Sequence, residues 1–261
     1  MKNTDHVLEA VRERSTNRAN LTRLLNDLET RDVVNGMTVY ARPGHFNIPT
    51  PTYGHTTPRG SAPEALVRIA PRLESSVTGS VVFWSEGSRL AILPPFPVEH
   101  EQVLDGWDAS PLRTLLSREY MLGVVLLRLG RFAVGVFQGD VMLSSKTDTR
   151  YVKGRHSAGG QSQKRFERIR EKQAQELFDK TCTVVREKFT PYEDRLDYII
   201  LGGERFTLQG FLKRCDYLNR LSPRILGRTL NIREPKHVAL EGVIETVWES
   251  RVLTVEGYDQ C

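Results

Sequence analysis

Ten consecutive residues hold the densest chemistry of this sequence: Lys153-Gly154-Arg155-His156-Ser157-Ala158-Gly159-Gly160-Gln161-Ser162. Adjacent glycines reach positive φ and let backbone approach a ligand where a Cβ would clash. A helix starting directly after them offers unpaired N–H groups and a positive dipole end, which favour anions and developing oxyanions. Gln161 adds an amide that both donates and accepts. The flanking cations suit a phosphate backbone. The segment holds no acid, no cysteine and no paired base beside its glycines. Its chemistry is therefore positioning, in which water and a substrate hydroxyl carry the protons. A bare Gly-Gly-Gln also fits an ordinary flexible loop before a helix, so its surroundings decide.

Those surroundings are basic. The 261 residues carry a net charge of +5, unevenly spread: +6 lies between Arg150 and Lys172, +5 between Lys213 and Lys236, and −6 on the remainder. Two basic islands on an acidic chain point to polyanion binding at defined places, although charged runs also serve as plain solvated helix faces. Apolar residues make up 39% and charged residues 26%, an ordinary globular composition. The richest apolar stretch, Met121 to Leu129, is too short for a membrane span, and the charged N-terminus is no secretory signal. Cys182, Cys215 and Cys261 are far apart and odd in number, so the sequence predicts reduced thiols, no disulfide framework and a cytoplasmic location. The six histidines never fall at His-x-x-x-His spacing, and no metal or cofactor is expected.

The elements that must position the loop follow from periodicity. Leu21, Leu24, Leu25 and Leu28 predict a helix over 15–28, with Asn17 or Asn20 as its cap. Val33–Tyr40 reads as a strand, 42–60 as a Pro-rich loop, and Pro63 with Ala65, Leu66, Ile69 and Leu73 as a second helix. Ser80–Trp84 and Arg89–Leu93 form a hairpin. Leu112–Glu119 is helical, and Met121–Leu127, Arg131–Phe137 and Asp140–Ser144 are strands. A loop over about 146–162 leads into the longest helix, 162–189, whose inner stripe is Phe166, Ile169, Leu177, Thr181 and Val185. Leu196–Gly202 is a strand, Thr207–Leu218 is helical, and Val238–Val255 completes the domain. The expected architecture is α/β, a mixed sheet with flanking helices over 79–261, preceded by a small N-terminal helix and strand element over 1–75.

Gly159-Gly160-Gln161-Ser162, followed by Arg165-Phe166, Arg168 and Arg170, resembles the GGQ segment of the eukaryotic and archaeal class-I peptide-chain release factors, GGQS-x-x-RF-x-R-x-R. Lys153, Gly154, Arg155 and His156 resemble its basic lead-in. Gly123-Val124-Val125-Leu126, Phe132-Ala133-Val134-Gly135 and Gln138-Gly139 look like the paired strands before that loop, and Leu196–Gly203 like the strand after the helix. The likeness covers roughly Gly79 to Leu218. The chain departs from those factors in lacking the Asn-Ile-Lys-Ser segment of their codon-reading domain, and too little sequence flanks the likeness for that domain or the GTPase-recruiting one. That combination is similar to the stand-alone Vms-like release factors of ribosome rescue, in a bacterial branch.

The resemblance implies a release-factor-like catalytic domain and a stop-codon-independent peptidyl-tRNA hydrolase, active without cofactor on stalled ribosomes or large subunits. Gly159, Gly160 and Gln161 would be catalytic. Lys153, Arg155, His156, Ser162, Lys164, Arg165, Arg168 and Arg170 would contact tRNA or ribosomal RNA, unless Arg165 or Arg168 pairs with Glu167 or Glu171 instead. The partners implied are the large ribosomal subunit and peptidyl-tRNA, with no membrane, and the chain is expected to be a monomer. Two other classes fit the same residues: an endonuclease that cuts peptidyl-tRNA near its CCA end, with His156 as base, and a non-enzymatic ribosome- or tRNA-binding adaptor. The products formed from peptidyl-tRNA separate the three.

Overall fold

The computed structural model describes residues 11–31, 33, 36–46, 64–85, 89–152, 154 and 161–255, with the side chains of 64–68, 161, 162 and 255 outside that description. In chain order its elements begin with β1 (Val11–Thr16), α1 (Arg18–Glu29), β2 (Met37–Ala41), α2 (Glu64–Glu74), β3 (Ser80–Trp84), β4 (Arg89–Leu93), β5 (Gln102–Asp105) and α3 (Ser110–Ser117). They continue with β6 (Met121–Arg128), β7 (Arg131–Gln138), β8 (Val141–Thr149), α4 (Gln161–Phe189), β9 (Tyr198–Gly203), α5 (Arg205–Leu212), α6 (Asp216–Arg220), β10 (Ile225–Leu230), α7 (His237–Val247) and β11 (Ser250–Val255).

The chain packs as two units, divided between Ser117 and Arg118, with Trp248 onward returning to the first. This differs from the boundary near residues 75–79 read from the sequence. The reason is strand pairing: β4 hydrogen-bonds to β3 on one side and to β11 on the other, and β3 also pairs with β2. The 80–93 hairpin and the 250–255 strand therefore belong to the first unit's sheet, not to the sheet that precedes the GGQ loop.

The first unit is built on a wholly antiparallel sheet in the order β1-β11-β4-β3-β2-β5. Alternate residues of its central strands bury opposite ways, as period-2 geometry requires. Tyr40, Val81, Phe83, Leu90 and Ile92 meet Leu21, Leu25 and Leu28 of α1 and Leu112 and Leu116 of α3. Val39, Ala41, Val82, Ala91 and Leu93 meet Ile69, Ala70 and Leu73 of α2. Asn17 caps α1, its side chain accepting the Asn20 N–H at 2.9 Å.

The second unit carries a mixed sheet, β10-β9-β6-β7-β8, with parallel pairing in β10-β9-β6 and antiparallel pairing in β6-β7-β8. One face packs on α4, α5 and α6 through Leu177, Val185, Phe189, Leu208, Phe211 and Tyr217. The other meets α7, where Leu240 lies so close that a Cβ on Gly135 would stand 3.0 Å from it. At Gly203 the backbone has φ of 141°, and a Cβ there would fall 2.0 Å from the Leu127 carbonyl oxygen. Only glycine lets β9 end so close against β6.

Two sequence expectations about this unit change. The region read as a loop from residue 146 is strand as far as Thr149, because Lys146, Thr147 and Asp148 pair with Val134, Ala133 and Phe132. Cys182 and Cys215, expected as separate thiols, form a disulfide with Cα atoms 5.4 Å apart. Their 33-residue separation hid a contact that exists only once α4 and α6 pack together.

Candidate functional site: a basic helix leaving the sheet edge

Strands β6, β8, β9 and β10 run the same way, so their carboxyl ends share one edge of the second sheet. The chain leaves β8 at that edge and returns as α4. Three contacts set the helix against the sheet. Lys180 Nζ lies 2.7 Å from Asp148 Oδ2 and holds that carboxyl below its usual range. Arg150 Nη2 lies 2.8 Å from Glu176 Oε2. At the far end, the Phe189 ring fills the space where a Cβ on Gly123 would stand 2.6 Å from it. The helix therefore runs antiparallel to β8, and Glu176 is level with the sheet's carboxyl edge. Gln161 stands 15 residues earlier, about 22 Å further out at the helical rise. The first half of α4 projects past the sheet.

Burial follows that geometry. Leu177, Thr181 and Val185 are fully buried, whereas Ile169 is 38% exposed and Phe166 is half-buried. The inner stripe read from the sequence thus begins at Leu177. Above it no strand among the described residues lies opposite Ile169.

The projecting half separates its charges by face. Lys164, Arg165, Arg168 and Lys172 are exposed. At about 100° per residue they fall within an arc of about 100° opposite the buried stripe. Among the described residues none of the four has an ion pair, and neither Arg165 nor Arg168 reaches Glu167 or Glu171. Glu167 instead accepts from Gln163 Nε2 at 3.1 Å. Arg170 lies on the stripe of Phe166 and Leu177, with its Nε buried and without a hydrogen-bond partner among the described residues. The structure so gathers Lys164, Arg165 and Arg168, turns Arg170 away from them, and adds Lys172, a residue outside the sequence-read site. The i, i+3, i+7 spacing from Arg165 was the signal for it.

Gln161 is the first described residue of α4. Lys153, Arg155, His156, Gly159 and Gly160 lie outside the described residues, as do the side chains of Gln161 and Ser162. Gly154 is exposed.

The second basic island is spent on the protein itself. Arg214 forks onto Asp179 at 2.5 and 2.8 Å, which raises its pKa. Arg220 stacks on the Tyr217 ring, Arg224 donates to the Glu193 carbonyl, and Arg228 donates to the Val247 carbonyl. Lys236 pairs with Glu234. Lys213 and Arg233 alone of that island have no such partner among the described residues. No group of three or more His, Cys, Asp or Glu side chains that could hold a metal, and no helix long and apolar enough to cross a membrane, occurs among the described residues.

Comparison with known proteins adds a family. The model of the Actinobacteria/chloroflexi VLRF1 release factor family matches residues 120–253, just over half of the chain. The chain is 34% identical over 118 residues to peptide chain release factor subunit 1 of Archaeoglobus fulgidus, covering 45% of this chain and 29% of that protein. It is 34% identical over 129 residues to the same factor of Methanopyrus kandleri, covering 49% and 31%. The chain thus spans about a third of the length of the curated relatives it matches. Among solved structures, the archaeal translation termination factor aRF1 aligns at TM-score 0.37 and 16% identity, covering 89% of this chain and 73% of that one. The Vms1 mitochondrial localization core aligns at TM-score 0.43 and 14% identity, covering 76% and 85%. Scores this low carry no argument about the fold.

Proposed function

The chain belongs to the Actinobacteria/chloroflexi VLRF1 release factor family, and from that premise we propose that it is a stop-codon-independent peptidyl-tRNA hydrolase that frees nascent chains from stalled ribosomes or large subunits. One observation carries the reading: Gln161 opens a helix whose first half projects past the sheet with four exposed cations on one arc. A catalytic group that must reach a buried ester needs such a stalk, and a stalk that enters RNA needs such a charge.

In the proposed reaction water attacks the carbonyl carbon of the ester joining the peptide to the terminal adenosine. The bond from that carbon to the ribose oxygen breaks. The water's proton passes to the departing ribose oxygen through a substrate hydroxyl. Gln161 places the water, and the N–H groups that open α4 face the developing oxyanion. Gly159 and Gly160 give the loop its conformation. Lys164, Arg165, Arg168 and Lys172 hold phosphates beside the helix, and Lys153, Arg155, His156 and Ser162 add further RNA contacts. Arg170 braces the stalk from its inner side.

Gel analysis of peptidyl-tRNA bound to large subunits tests the reading. Free peptide with intact tRNA is the expected product pair. A tRNA shortened at its CCA end would make the chain an endonuclease, and unchanged peptidyl-tRNA would make it an adaptor.

A further inference from the structure

The seam between β8 and α4 is open along one side, because β8 is the last strand of the second sheet. Contacts across it fix where its charges stand. Lys180 of α4 reaches Asp148 of β8 at 2.7 Å, and Arg150 reaches Glu176 of α4 at 2.8 Å. Lys146 lies two residues before Asp148 on the same strand and so faces the same way, toward α4. It is exposed, has no ion pair among the described residues, and acts on Asp148 through its charge. Lys172 stands one turn of α4 above Glu176, exposed and also without an ion pair among the described residues.

The acids of the seam are outnumbered. Lys146, Arg150, Lys172 and Lys180 meet only Asp148 and Glu176, which leaves a net charge of +2. The neighbouring acids of α4 add nothing to that balance, because Asp179 is held by Arg214 and Glu187 by Lys188. Lys172 also belongs to the cation arc of the projecting half, and Glu171 lies beyond the margin of that arc that points away from β8. The positive surplus therefore continues from the stalk down to Lys146. Lys172 and Lys180 are about 12 Å apart at the helical rise, a span for a chain of anions and not for one.

The composition of the seam decides between polyanions. Along Lys146–Arg150 and Lys172–Lys180 no apolar side chain is exposed, so the apolar centre of a protein interface is missing. No aromatic ring is exposed there to stack a base, which leaves contact with backbone phosphates, without sequence reading.

We propose that the β8–α4 seam binds the phosphate backbone of RNA, with Lys146 and Lys180 continuing below the sheet edge the contacts that the stalk makes above it. The inference deepens the functional reading above and rests on its RNA partner. Transfer RNA and ribosomal RNA offer the same phosphates, and the test separates them.

The test uses the full chain with two probes, deacylated tRNA and vacant large subunits, each titrated across a salt series. Lys146→Ala should reduce the log–log slope by about 0.7–0.9, and Lys146→Ala with Lys180→Ala by about 1.4–1.8. A reduction with tRNA assigns the seam to tRNA, and one confined to large subunits assigns it to ribosomal RNA; each supports the proposal. The double variant also loses the Lys180–Asp148 contact, so where it melts lower the single variant decides, whose midpoint should match wild type. Asp148→Asn should tighten binding, because it frees Lys180 and removes a negative charge. A slope equal to wild type for Lys146→Ala on both probes, unchanged or weaker binding by Asp148→Asn, or no binding of either probe by the wild-type chain would overturn the seam. So would a loss seen only with polyglutamate, which would make the occupant an acidic protein. Failure of peptide release with the seam results intact would remove the hydrolase reading and leave the seam standing, whereas release with unchanged seam slopes would remove the seam alone.

Discussion

Arg150, the residue after β8, pairs with Glu176 of α4 at 2.8 Å, and this pair marks the level at which the helix leaves its sheet. Below it α4 is part of a core, with Leu177 and Val185 fully buried. Above it the same helix is a charged rod. The two halves have different tasks, and substitutions in them should fail in different ways.

Neutralising Arg165, Arg168 and Lys172 together should lower affinity for ribosomes or tRNA and reduce the log–log salt slope by about two to three, since each lost phosphate contact removes about 0.7–0.9. The thermal midpoint should hardly move, because none of the three has an ion pair among the described residues. A slope equal to wild type would assign these cations to the protein's own surface.

The contrasting set is Arg214, Arg224 and Arg228. These bind Asp179 and the carbonyls of Glu193 and Val247. Their joint replacement by Gln should lower the thermal midpoint and leave the salt slope unchanged. A changed slope with an unchanged midpoint would reverse the assignment of the two islands.

The sequence separates the two halves of α4 poorly, and the reason is physical. Helical spacing alone places Phe166, Ile169, Leu177, Thr181 and Val185 on one stripe, but a stripe is buried only where something lies opposite. The sheet ends level with Glu176, so Ile169 is exposed. The inner antiparallel strands of the second sheet were legible because Met121–Leu127 and Arg131–Phe137 are apolar on both faces, whereas Ile225–Leu230, mostly exposed or half-buried, was not read as a strand. The first unit was less so. Its edge strands, Val11–Thr16 and Gln102–Asp105, are mostly polar or exposed. Its sheet also takes in Ser250–Val255 from the far end of the chain, a pairing that no local pattern announces. The second island looked like the first because Asp179 and the Glu193 carbonyl are distant in sequence from the arginines they hold.

The Cys182–Cys215 bond ties α4 to the start of α6 across 33 residues. Loop-closure entropy of a link that size is worth about 3–4 kcal/mol. Dithiothreitol should therefore lower the thermal midpoint of the oxidised protein by several degrees, and Cys182→Ser should show the lower midpoint with or without reductant. Equal midpoints for oxidised and reduced wild type would show that packing alone holds α4 to α6.

Release should be independent of the codon in the decoding site. The chain carries no Asn-Ile-Lys-Ser segment, and reading a codon needs groups that hydrogen-bond unpaired bases. Comparable rates are expected on isolated large-subunit complexes and on whole ribosomes with a sense or a stop codon. Strong stimulation by a stop codon, with little activity on large subunits, would return the chain to the termination factors.

The most direct measurement is single-turnover peptide release from large-subunit peptidyl-tRNA by Gln161→Ala, with folding checked by thermal melting. The substitution lies at the start of a projecting helix, about 22 Å beyond the edge of its own sheet, so the midpoint should match wild type. Loss of one water-positioning or oxyanion-type group should slow release about a hundredfold to a thousandfold. Release within threefold of wild type would contradict the account, because the residue at the end of the stalk would then not be the one that places the water.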